Sequence, residues 1–401
     1  MSEKYAGNKM NCYGADPFIF FDPKSKYYFI YATDDSNDEE GKSFIIYKTK
    51  DLTHLEYVGY ALDIKYKQWG KNWFWAPIVL YNPNNSLYYL FYSARVKDEL
   101  LETYFGTKNF EEGCKIGVAT STTPEGPFRN ISDRPIDFKA YDHHYLNIEE
   151  ISENPLNPTI SFVEAFEKAK RGTYLPLIDI DIFFENGHCY FYFSRCCYKN
   201  YVYDVKLKKF VEESHIISAE FDSGFWFDPK GKQMPEVNMS NRKDEKDSYN
   251  ELIAYWRQPQ EWENAHVNDF VKYNGAKKNR RWSEGSTIFK KNIDGDDFYF
   301  LTYSCNNFEN ESYGVGIAYS KTPLGTFRKY PKNPIIHEEN TKNIYSTGHG
   351  SYININGRDF YIFHMRESKE ANRCIAWCEL FIKSLDDISI SEIHKCELIS
   401  H

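Results

Sequence analysis

The sequence predicts an all-β chain arranged as a five-bladed β-propeller, and three observations carry that expectation. Aromatic residues make up 18 % of the chain, with 33 Tyr, 30 Phe and 8 Trp, a share that suits paired strands and sugar-stacking surfaces better than helix bundles. Five segments repeat one grammar: an apolar strand, a polar turn, then an alternating aromatic strand, which reads as a β-hairpin. The repeats return at a long period, the sequence signature of blades stacked around an axis.

The five segments are "ADPFIFFDPKSKYYFIYATDD" from Ala15, "WAPIVLYNPNNSLYYLFYSAR" from Trp75, "IDIDIFFENGHCYFYFSRC" from Ile178, "SEGSTIFKKNIDGDDFYFLTYS" from Ser283 and "TGHGSYININGRDFYIFHMRES" from Thr347. The first aromatic of each second strand, at Tyr27, Tyr88, Tyr190, Phe298 and Phe360, gives spacings of 61, 102, 108 and 62 residues. One unit therefore recurs five times, with long insertions at about 129–176 and 198–281 that are expected at the rim. Two third strands, "CKIGVATSTTPEGPF" from Cys114 and "YGVGIAYSKTPLGTF" from Tyr313, are near copies. A two-sheet sandwich is the alternative, and it has no reason for so long a period. Residues 1–401 exceed the usual single-core size of about 250–300, which a propeller passes by adding blades, so the whole chain is read as one catalytic domain.

A formal net charge of −9 with scattered Lys and Arg makes nucleic acid and anionic membranes poor partners, and no run approaches the roughly 20 apolar residues of a span. A neutral or small ligand fits better. The N-terminus as it stands has no signal peptide, so a cytoplasmic location is expected, while a sequon at Asn84-Asn85-Ser86 keeps open secretion with a trimmed leader. Nine cysteines without zinc spacing read as mostly buried free thiols in a reducing compartment.

The repeat also points to a site. Eleven positions before the marker stand Asp16, Asp179 and His349; in the fourth unit, whose turn is longer, Glu284 stands fourteen before; in the second, Ala76 or Pro77 stands beside Trp75. That address begins the innermost strand and faces the mouth of the central channel, where residues distant in sequence converge. Asp181, two residues beyond Asp179, shares its strand face and is the weaker candidate. Converging carboxylates suit glycosidic cleavage: one acid protonates the leaving oxygen and one carboxylate works from the opposite face of the ring. A third would raise the acid's pKa by repulsion. No organic cofactor is required.

At these residues the sequence resembles glycoside hydrolase family 43, on "ADPFIFF" at 15–21, "FWAPIVLY" at 74–81, "IGVATSTTPEGPF" at 116–128, "LIDIDIFF" at 177–184, "SEGSTIFK" at 283–290, "YGVGIAYSKTPLGTF" at 313–327 and "STGHGSY" at 346–352. The resemblance implies a five-bladed propeller that inverts configuration, with Asp16 as general base, Asp179 tuning and orienting, and Glu284 as general acid. It also implies Trp75 and Arg373 as sugar-binding residues, and His349 on the axis, where it would hold a calcium through water. Ile78 after Trp-Ala-Pro and Ile180 after Asp179 depart from the family's usual acidic and small residues there. The insertions carry Trp226, Trp256 and Trp262 and, over one face, would narrow a groove to a pocket. The expected activity is exo-acting release of α-L-arabinofuranosyl or β-D-xylosyl residues from hemicellulose. An endo-arabinanase, a galactofuranosidase or a non-catalytic carbohydrate-binding propeller are the alternatives.

Overall fold

Each repeat becomes a sheet covered on both faces by its neighbours, and this two-sided burial is why aromatic residues alternate with aliphatic ones along every strand. The computed structural model describes residues 11–34, 43–148, 151–152, 160–195, 201–240, 242–269 and 276–399, with the side chains of 265–280 excepted.

The first blade contains β1 (Ala15–Phe21), β2 (Tyr28–Thr33), β3 (Phe44–Thr49) and β4 (His54–Tyr60). The second contains β5 (Gly70–Asn82), β6 (Leu87–Val96), β7 (Cys114–Ser121) and β8 (Arg129–Asn130). In the first insertion β9 (Tyr141–Asn147) pairs only with β10 (Lys170–Tyr174). The third blade runs β11 (Leu177–Glu185), β12 (His188–Arg195), β14 (Lys209–Phe221) and β15 (Asn250–Ile253), with β13 (Tyr201–Asp204) paired to the start of β14. After β16 (Asn264–Asp269), the fourth is β17 (Ala276–Ile293), β18 (Asp296–Cys305), β19 (Gly314–Ser320) and β20 (Arg328–Lys329). The fifth is β21 (Tyr345–Ile355), β22 (Arg358–Arg366), β23 (Cys374–Ser384) and β24 (Asp387–Ile390), with β25 (His394–Lys395) on β23. The last strand, β26 (Glu397–Leu398), joins β4 of the first blade, and Tyr13 bridges to Cys374 of the fifth. The two ends of the chain thus close the ring, and the fold is a five-bladed β-propeller.

The core lies between blades rather than inside one. Tyr88, Leu90 and Tyr92 of β6 pack toward Phe29 and Tyr31 of the first blade, while the intervening Tyr89 and Phe91 pack toward Ile182 and Phe191 of the third. A strand's period of two sends successive side chains to opposite faces, so one strand supplies two cores. Burying each such side chain contributes about 1.5–3 kcal/mol, and the two near-identical third strands add a polar anchor. Tyr31 donates to the Pro124 carbonyl (2.6 Å) and Tyr192 to that of Pro323 (2.9 Å), so each Thr-Pro turn docks a tyrosine of the preceding blade.

The insertion tryptophans depart from expectation. The carbonyl of Trp226 accepts from Asn82 (2.6 Å), at the β5–β6 turn, the hairpin end farthest from Ala76. Its segment therefore covers the face opposite the expected mouth. Trp262 lies against Tyr303 (5.9 Å) as Trp69 lies against Tyr92 (5.6 Å), so it fills the fourth blade, and Trp256 is exposed. What rises past the mouth is backbone: β14 and β17 run beyond their blades and pair in parallel, Glu212–Ser214 against Arg280–Trp282, flanked by β13 and β16. All seven cysteines among the described residues are free and buried; Cys196 and Cys197 lie outside those residues.

Gly348 has no room for a side chain, because a Cβ would enter the Tyr313 ring. Gly348→Ala is therefore expected to lower stability by about 1–3 kcal/mol, read as a lower midpoint in urea unfolding at unchanged slope.

Candidate active site

All five innermost strands carry a β-bulge at one address. The register slips between Ala15 and Phe18, Trp75 and Ile78, Ile178 and Asp181, Glu284 and Thr287, and Gly348 and Gly350. Within each bulge one residue has left-handed φ: Asp16 (49°), Ala76 (48°), Asp179 (55°), Gly285 (59°) and His349 (38°). Such a backbone is costly for residues with a Cβ and is kept where the surroundings over-determine it.

What over-determines it is a ring of hydrogen bonds from blade to blade. The Ala76 amide donates to Thr33 Oγ1 (2.9 Å), Asp179 to Ser93 Oγ (3.0 Å), Gly285 to Ser194 Oγ (2.9 Å) and His349 to Ser304 Oγ (2.7 Å). The circle closes where the Asp16 amide donates to His364 Nδ1 (3.2 Å). Each acceptor lies in the last four residues of the second strand of the preceding blade. A buried amide left unpaired costs about 1–3 kcal/mol, so each bulge has a partner built for it.

This ring corrects the repeat count in one place. The left-handed residue of the fourth blade is Gly285, and Glu284 stands one position earlier, level with Trp75 and Ile178. The physical reason is space: a Cβ on Gly285 would lie 2.6 Å from the His349 ring. In the second blade the address falls on Ala76.

The sequence-predicted residues meet in one open cleft of about 720 Å³, the solvent at its mouth included, lined by Asp16, Trp75, Asp179, Glu284, His349 and Arg373 together with Ile178, Trp282, Asn306, Asn307, Phe308 and Tyr313. Asp16 receives Thr33 Oγ1–H on Oδ2 (2.9 Å) and faces His349 Nδ1 (3.1 Å) and Arg373 (3.8 Å) with Oδ1. Asp179 Oδ2 accepts the Gly285 amide (3.2 Å), which ties it to the backbone beside Glu284. Glu284 itself accepts from the Tyr313 hydroxyl (2.6 Å) and from Trp282 Nε1 (2.7 Å), one on each carboxylate oxygen. Trp75 stacks on Trp73 at 5.3 Å, and Arg373 lies over the Phe308 ring (4.9 Å).

These surroundings drive the three carboxylates apart. Burial works against ionising Asp16, but the charge and hydrogen bond of His349, then Arg373, outweigh it and hold its pKa below the usual carboxylate range. Burial pushes Asp179 up to about 7; His349 opposes, and Glu284 and Asp16 add repulsion. Glu284 is also raised, by burial first, against its hydrogen bonds and His349. Burial would lower His349, yet Asp16 and Asp179 raise it to about 9. The centre thus holds one firmly ionised carboxylate, an imidazolium, and two carboxyl groups whose affinity for the proton is raised.

Tyr313, Trp282 and the Asn306–Phe308 turn were not singled out from sequence. Tyr313 opens one of the two near-copied strands and Trp282 directly precedes "SEGS", which are the signals that placed them nearby. Asp181 is buried 7 % exposed below the site, where it accepts the Ile288 amide (2.7 Å), and lines a smaller axial hollow with Asp16, Ser286, Thr287 and His349. Calcium takes six to eight oxygen ligands. Among the described residues no three His, Cys, Asp or Glu side chains converge to hold a metal, and the charged His349 ring gives its Nδ1 to Asp16. The donor set therefore does not fit a directly held ion.

A propeller that gathers carboxylates of opposed proton affinity between aromatic walls is furnished as a carbohydrate-cleaving enzyme. The profile described as glycosyl hydrolases family 43 matches residues 10–145 and 180–385, and the chain belongs to that family of glycosidases. Among solved structures, an endo-1,4-beta-xylanase from Bacteroides thetaiotaomicron is 26 % identical, covering 97 % of this chain and 98 % of its own, with a TM-score of 0.62. A thermostable family-43 glycoside hydrolase is 23 % identical over 96 % and 94 % (TM-score 0.63). An alpha-L-arabinofuranosidase from Lactobacillus brevis is 16 % identical over 94 % and 93 % (TM-score 0.53). No curated protein matches the sequence.

Burial raises Asp181 to about 7 from an ordinary 3.8, against the backbone amides that favour its anion. The folded state therefore holds a proton that the unfolded chain releases, and stability falls as pH rises between those values. Asp181→Asn removes that loss: the variant is expected to melt higher than wild type at about pH 8 and alike at about pH 4, measured by calorimetry.

Proposed function

We propose that the protein is an inverting, exo-acting glycosidase that releases terminal α-L-arabinofuranosyl or β-D-xylosyl residues from hemicellulose oligosaccharides such as those of arabinoxylan or arabinan. The observation that carries this reading is the split within one cavity between Asp16, held ionised, and Glu284, pushed toward its protonated form. Inverting hydrolysis needs such a pair.

In this reading the Asp16 carboxylate takes a proton from a water as its oxygen attacks the anomeric carbon. Glu284 gives its proton to the glycosidic oxygen as the carbon–oxygen bond breaks, so the sugar leaves with inverted configuration. Asp179 holds the Gly285 amide beside Glu284, and as it ionises its charge repels that of Glu284 and favours the proton there. His349 and Arg373 balance the Asp16 charge, and Arg373, Trp75 and Phe308 supply a guanidinium and faces for a sugar ring. The xylanase and the arabinofuranosidase among the structural neighbours support a pentose. The paired β14 and β17 extensions beside Glu284 and the Asn306–Phe308 turn support a pocket that admits a chain end. No step is routed through an ion, and dialysis against EDTA is expected to leave kcat unchanged; a loss restored by calcium would contradict this.

On nitrophenyl α-L-arabinofuranoside or β-D-xylopyranoside, Asp16→Ala is expected to lower kcat by about 10²–10⁴-fold. Glu284→Ala should lose far less on these activated leaving groups than on an oligosaccharide. Proton NMR of the first-formed sugar should show the inverted anomer, and single pentoses should precede any mixture of longer products. A chain inert on every pentoside, or one that produces mid-chain fragments first, would overturn the reading. Asp179 and Glu284 titrate as a pair, and activity should fall as pH rises through the upper step. Asp179→Asn removes a neighbouring anion, lowers the Glu284 pKa, and should move that alkaline limb of kcat/KM to lower pH.

A further inference from the structure

We infer that His364 is a positioning residue for Asp16: its Nδ1 takes the place that a hydroxyl fills at the other four blade junctions and fixes the turn from which the Asp16 carboxylate is aimed. The inference rests on the reading of Asp16 as the base. Thr33, Ser93, Ser194 and Ser304 stand on their second strands opposite Ala15, Trp75, Ile178 and Glu284, and each accepts the amide of the next blade's left-handed residue. His364 is opposite Gly348, and the amide it accepts is that of Asp16 itself.

A hydroxyl can accept whatever its neighbours' charge, but an imidazole nitrogen accepts only while it carries no proton. The surroundings keep it so. His364 is fully buried, and burial, then Arg373, hold its pKa well below the ordinary imidazole value despite the nearby Asp16. Nδ1 is the nitrogen the fold uses, since Nε2 is buried with no hydrogen-bond partner among the described residues. The ring also lies against Tyr313, at 5.8 Å and 13° from parallel, and Tyr313 donates to Glu284. His364 therefore stands between the backbone of one reacting carboxylate and the residue that holds the other, without lining the cavity itself.

The test compares substitutions that differ in where they place an acceptor. His364→Asn puts Oδ1 on the same carbon that bears Nδ1; His364→Gln carries its acceptor one bond farther out; His364→Phe keeps a ring against Tyr313 and has none. With nitrophenyl pentosides, His364→Asn is expected to keep kcat within about threefold of wild type, while the Gln and Phe substitutions lose about tenfold or more with KM within about twofold. If the Phe variant fails to fold, the Asn and Gln pair still decides. Equal losses for Asn and Gln, or a Phe variant with wild-type kcat, would overturn the inference. Asp16→Asn separates the two levels: if it stays active, the base reading fails and the inference with it; if it is inactive while His364→Phe is not, the inference alone fails.

Discussion

The structure depends on a closed circle of five backbone amides, each donated across a blade boundary at a left-handed bulge. Without it the five sheets would still pack by their aromatic faces, but nothing would fix the start of each innermost strand relative to the next. The circle sets the angle at which Asp16, Asp179 and His349 leave the backbone, and it does so with bonds that are short in sequence on one side and long on the other. The hydroxyls serve twice. Thr33 accepts the Ala76 amide and donates to the Asp16 carboxylate, so the bond that joins two blades also orients a reacting group.

Placing three carboxylates in one buried hollow is unfavourable unless they are differentiated. Here the differentiation comes from which neighbour each one faces. Asp16 faces two cationic side chains and bonds one of them, His349, directly; Asp179 and Glu284 feel His349 too, but for them burial wins. The same burial that would leave an unpaired acid protonated is overridden at Asp16 and allowed to act at the other two. Chemistry needing one acid and one base at a single pH follows from that asymmetry.

Much of this was legible in the sequence, for identifiable reasons. Both faces of every blade are buried, so the aromatic alternation of β6 or β12 is strong and the period survives insertions. Hairpins of equal length carried the address to Asp16, Asp179 and His349 by counting alone. The longer turn of the fourth unit broke the count by one, because bulge register is set by contact with His349 and not by turn length. Trp226 and Trp262 were misjudged because the destination of a long insertion is decided by tertiary packing that leaves no periodic trace. His364 was unreadable as anything but a core residue: inside "FYIFHMR" it sits in an ordinary strand, and its meaning appears only when Asp16, 348 positions away, is brought against it.

The central claim is that the five bulge amides form one cooperative circle, and amide hydrogen exchange reads it directly. The account predicts that the amides of Asp16, Ala76, Asp179, Gly285 and His349 belong to the slowest-exchanging class and lose protection together as denaturant approaches the global transition. Exchange of any of these five at the rate of an exposed turn, or independently of the others, would contradict it.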